Sequence, residues 1–95
     1  MQEEYLMNKM LKGKTEQEKE IELLRNIVET REKLKNARSN FEYAEDDMID
    51  YYIYQIKANQ SKLDYLIKVA KKKGIVLTRN NELKIRMVME NELVG

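Results

Sequence analysis

At 95 residues the chain has room for one domain with a thin core, since a chain this short buries only about 60–65% of the surface it exposes when unfolded. It has no cysteine and no histidine, which excludes disulfides, thiolate nucleophiles, imidazole bases and zinc sites built on those ligands. A net charge of +1 gives no whole-chain steering toward nucleic acid or an anionic membrane, and 37% charged residues without a proline favour long helices with solvated faces.

The charge is unevenly spread. Residues 1–47 hold 9 Lys/Arg against 12 Asp/Glu, and residues 48–95 hold 9 against 5, so the chain is dipolar and suited to head-to-tail docking. The acidic start (Gln2, Glu3, Glu4) lacks the basic n-region of a secretory signal. No apolar run approaches the roughly 20 residues of a membrane span. The expectation is a cytoplasmic protein with no membrane association.

In chain order, residues 2–12 place Tyr5 or Leu6 with Met10 and Leu11 at helical spacing, and Gly13 follows as a stop, which predicts a short first helix. Thr15 with Glu18 forms a capping box, and Glu16, Glu18, Glu20 and Glu22 load the next first turns with negative charge. Leu23, Ile27, Thr30, Leu34, Ala37, Phe41 and Ala44 then recur at 4-3-4-3-4-3 spacing, the seam of a long amphipathic helix over about 16–43.

A second seam follows: Ile49, Ile53, Ile56, Gln60, Leu63, Ile67 and Ala70. Continuing the first seam by sevens from Phe41 reaches Met48 and Gln55, whereas the second needs Ile53. That offset fits neither a three- nor a four-residue interruption of one continuous rod. A turn near residues 43–47 is therefore predicted, reset by Asp46 or Asp47 as N-cap with Asp50 adding charge in the first turn. The second helix, about 47–73, closes on Lys71, Lys72 and Lys73 and on Gly74 in a left-handed stop, with Ile75 folding back on Val69 or Ala70.

After Gly74 the pattern shifts. Leu83, Ile85, Met87 and Met89 alternate with Lys84, Arg86 and Val88, which predicts a two-stranded ribbon turning at Asn80 and Asn81, with Arg79 facing Glu82. Such a ribbon is marginal alone, and the alternatives are a short helix capped by Asn80 and a loose tail. The fold class expected is mainly α: an antiparallel two-helix hairpin in a single domain, with a short N-terminal helix and a C-terminal β-ribbon or short helix.

The second helix is apolar on two sides. At about 100° per residue, Tyr51, Tyr54, Ala58, Tyr65 and Val69 gather opposite the seam, bordered by Lys62 and Lys72. Large amphipathic rings among lysine stems are the mixture found in protein interfaces. Their cover is expected to be this chain's own N-terminal helix or C-terminal segment, a second copy, or another protein.

Two other clusters carry weaker signals. Glu42, Glu45, Asp46, Asp47 and Asp50 include i,i+4 carboxylates able to share a hard cation such as Mg²⁺, but capping and dipole complementarity account for them without further ligands. Lys68, Lys71, Lys72 and Lys73, with Arg79, Lys84 and Arg86, form a basic end that could grip phosphates beside Tyr65. No glycine-rich phosphate loop or zinc finger accompanies it. Ser39 and Ser61 have no histidine to activate them, so neither enzyme activity nor a cofactor is expected.

The stretches IDYYIYQIKA (49–58) and LDYLIKVAKKKGI (63–75) resemble the signature of the YaaL-like family, small proteins of Firmicutes with no assigned activity. Tyr52, Ile53, Tyr54, Lys57, Ala58, Tyr65, Leu66, Ala70 and Lys71 carry the likeness, whose core covers roughly residues 20–75. The resemblance implies a cytoplasmic helical hairpin and transfers no substrate or catalytic residue; residues 76–95 depart from the family's usual extent. The functional expectation is a non-enzymatic interaction module, self-associating as a homodimer. The competing readings are a nucleic-acid accessory protein using the basic end and a small inhibitor that occludes a larger protein.

Overall fold

The computed structural model describes residues 15–94; the short helix expected over 2–12 lies outside them. Three helices follow in order: α1 (Glu16–Glu42), α2 (Asp46–Lys72) and α3 (Arg79–Val94). There is no strand among the described residues.

α1 begins where the capping pattern places it. Thr15 Oγ1 accepts the Glu18 backbone N–H at 3.1 Å, and Glu16 and Glu18 lie in the first turn, where negative charge complements the helix dipole. The chain turns through Tyr43, Ala44 and Glu45 and re-enters a helix at Asp46, so the break inferred from the seam offset is real. Its cap differs from the expected one. Glu45 occupies the N-cap with no side-chain hydrogen bond, and Asp46 and Asp47 sit inside the first turn as dipole partners.

α1 and α2 pack lengthwise. Leu23, Ile27 and Leu34 from α1 meet Leu63, Leu66 and Ala70 from α2 in one buried cluster, with Ile56 and Ile67 packed against it. Burying each large aliphatic contributes about 1.5–3 kcal/mol. Thr30 is the polar member of the α1 seam; its hydroxyl donates to the Asn26 carbonyl at 2.7 Å, so no unmet donor is left in the core. The seam loosens toward the turn, where Phe41 is exposed.

α2 stops as predicted. Gly74 has φ +73°, the left-handed region that favours glycine, and the Ile75 N–H bonds the Ala70 carbonyl at 3.0 Å. That is the six-to-one bond of a Schellman stop. It turns Ile75 and Leu77 onto the core.

The C-terminal segment is a helix, not a ribbon. Thr78, not Asn80, caps it: Thr78 Oγ1 accepts the Asn81 N–H at 3.1 Å, and the Asn81 side chain donates to the Val76 carbonyl at 3.0 Å. The strand-like alternation is overridden because Ile85 and Met89, four apart, share one helical face, and Ile85 is buried. Arg79 and Glu82 therefore do not pair across a turn. Glu82 bonds Arg31, Arg86 bonds Glu32, and Arg25 bonds Glu92 at 2.7 Å. Because the start of α3 meets Arg31 and its end meets Arg25, α3 runs antiparallel to α1.

α3 packs on α1 and not on α2. Val28, flanked by Arg25, Arg31 and Glu32, is only 2% exposed and lies about 140° around α1 from Leu23. The helix covered on two sides is thus α1, whereas the sequence pattern pointed to α2.

Candidate functional site

Among the described residues the outward face of α2 leaves a row of aromatic side chains open. Tyr51, Tyr54 and Tyr65 are 49%, 69% and 65% exposed, Ala58 is exposed between them, and neither α1 nor α3 lies over them. Val69, placed on this face by periodicity, is instead half-buried against the core near the Schellman stop.

The ring at position 51 is held in place. Gln55 Nε2 donates to Tyr51 Oη at 2.6 Å, and the Tyr52 ring stands edge-on to it with centroids 5.1 Å apart. Tyr54 and Tyr65 point into solvent with their apolar bodies uncovered. The lysines at 57, 62 and 72 are exposed around them, and their stems extend the apolar area.

The apolar surface continues around the hairpin tip, which sequence reasoning missed. Tyr43 is 86% exposed in the turn, and a shallow depression of about 280 Å³ is lined by Asn40, Tyr43, Ala44, Glu45, Met48 and Tyr52. The available signal was that Tyr43 falls on no seam and that Met48, next on the first seam, is left without a partner once the chain turns. The surrounding carboxylates of Glu42, Glu45, Asp46, Asp47 and Asp50 do not converge as a metal site: among the described residues no three acidic groups come together to hold an ion.

The basic end is divided. Lys68, Lys71, Lys72 and Lys73 are exposed at the end of α2, while Arg79, Lys84 and Arg86 ride on α3. Arg86 is committed to Glu32, and that hydrogen bond holds the Glu32 carboxyl below its ordinary range, with burial opposing and the Arg86 and Lys35 charges assisting. A groove of about 410 Å³ between α1 and α2 displays Arg31, Lys35 and Arg38. Arg31 is paired with Glu82, and Arg38 donates to Gln60 at 3.2 Å.

The family model described as "Protein of unknown function (DUF2508)" matches residues 6–77. The chain belongs to this family. The DUF2508 match covers both hairpin helices and the Schellman stop and ends two residues before α3 begins; the hairpin is the shared element, and α3 lies beyond it. No curated protein and no solved structure matches the chain. Among the described residues no helix is long and apolar enough to cross a membrane.

Proposed function

We propose that the protein is a non-enzymatic helical interaction module that associates through the outward face of α2, with a second copy as its partner. The observation carrying this reading is the row of three tyrosines on one helical face, each about half or more exposed. Folded chains seldom leave such a contiguous aromatic surface to water without a use for it, and tyrosine is enriched where two proteins meet.

Sedimentation equilibrium on the full chain tests it. The expected result is reversible self-association that weakens when Tyr54 and Tyr65 are replaced by Glu, with helix content unchanged by circular dichroism. A monomer at all concentrations, unaffected by those substitutions, overturns it. The nucleic-acid reading is less well supported, because Arg86 is paired and the remaining cations are divided between two helices that do not pack together.

A further inference from the structure

The reading of the α2 face as a self-association surface leaves the arrangement of the two copies open, and the charge pattern along the helix selects one. At 100° per residue Asp47, Tyr51, Tyr54, Ala58, Tyr65 and Lys72 fall within an arc about 60° wide. Asp50 and Lys68 lie together about 40° beyond one edge of that arc. Tyr51 and Tyr65 are each seven residues from Ala58, or about two turns. The face is acidic at its start and basic at its end, with its smallest side chain at the midpoint.

We infer that two copies pair through α2 in antiparallel fashion, with the two-fold axis beside Ala58. The pairing rests on the interface reading above and assigns the contacts within it. Residues equidistant from position 58 then meet. Tyr51 stacks against Tyr65 of the second copy; Tyr54 comes level with Lys62 of the second copy and lies next to Ser61 of the second copy, one residue, or about 1.5 Å, off that level. Ala58 faces Ala58, which lets the helix axes approach to about 8 Å at the crossing.

The charges follow the same geometry. Lys68, ten residues past position 58, comes within about 3 Å along the axis of Asp50 of the second copy, which lies eight before it. Lys72 and Asp47 of the second copy are offset by about 4.5 Å, and a lysine stem covers both spans; the two-fold axis repeats both pairs. All four residues are exposed in the single chain, and none is ion-paired among the described residues. A parallel pair would set Asp47 against Asp47 and Lys72 against Lys72, and like charges at such positions are destabilising. Opposed helix dipoles add to the preference for the antiparallel form.

Cross-linking separates the arrangement from the interface itself, and the absence of native cysteine makes single-cysteine variants clean. Ala58→Cys should form a disulfide-linked dimer under mild oxidation. Asp50→Cys and Lys68→Cys, mixed and treated with a short bis-maleimide, should give a covalent dimer, and neither variant alone should do so. Dimers from Asp50→Cys alone or Lys68→Cys alone overturn the antiparallel pairing but leave the face as an interface. Failure of Ala58→Cys to cross-link, in a chain that remains monomeric by sedimentation, overturns the interface and the pairing together.

Discussion

The placement of α3 on α1 can be tested with a double-mutant cycle on Val28 and Ile85. Val28 is 2% and Ile85 8% exposed, and both lie among the residues that join the two helices through ion pairs. Val28→Ala removes two buried methyl groups, a loss of about 1–2 kcal/mol at roughly 0.8 kcal/mol per buried carbon. Ile85→Ala costs about 2–4 kcal/mol, including the cavity left behind. If the two side chains share one interface, the double variant should lose less than the sum, with a coupling of about 0.5–3 kcal/mol. Urea unfolding followed by far-UV circular dichroism measures all four corners. The adjacent Ile27, fully buried on the α2 side, provides the control: Ile27→Ala should add to Ile85→Ala without coupling. Additivity of Val28 and Ile85 within about 0.5 kcal/mol would refute the docking described here.

Other perturbations act on single, identifiable features. Arg86 holds the Glu32 carboxyl below its ordinary value of 4.5, so this contribution is present above that pH and lost as pH falls through the depressed folded value. Glu32→Gln should therefore flatten the decline in urea midpoint below pH 4.5, by a small amount because both side chains are over a third exposed and screened by water. Gly74→Ala should cost about 1–2 kcal/mol through its left-handed backbone alone, since an added Cβ meets nothing within 4 Å; Gly74→Asn should cost less. Thr15→Ala and Thr78→Ala should each cost about 1 kcal/mol as lost caps, measured by thermal unfolding.

The hairpin was legible because its signals are local and redundant. Two seams at 3.5-residue period, the Thr15 cap, the phase break before Asp46 and the Gly74 stop all point one way, and the structure agrees at each. α3 was harder to read because Leu83, Ile85, Met87 and Met89 fit a strand alternation, and only the tertiary contacts with Arg25, Arg31 and Glu32 decide for a helix. Those three residues look like solvated surface in the sequence of α1; their partners are 51 to 67 residues away. Val28 was passed over because it sits one residue beyond the Ile27 seam position, and Leu66 because it widens the α2 seam past the strict heptad. The tyrosine face itself was readable from periodicity, except that the Schellman turn draws Val69 inward.

The helices should not open together. α1 and α2 share a cluster of six buried side chains, whereas α3 is held by Ile85, Val28 and three ion pairs that remain partly exposed. Surface pairs contribute about 0.2–1 kcal/mol each and weaken with salt, and a 16-residue helix is marginal without packing. Native-state hydrogen exchange should therefore show α3 amides opening at lower free energy than those of α1 and α2. Raising ionic strength should lower the α3 value selectively, leaving the amides around Ile27 and Leu63 at the global stability. Because α3 does not touch α2, its detachment should leave the tyrosine face and any association through it unchanged. Exchange of all three helices at a single free energy, insensitive to salt, would mean that α3 belongs to the same cooperative unit as the hairpin.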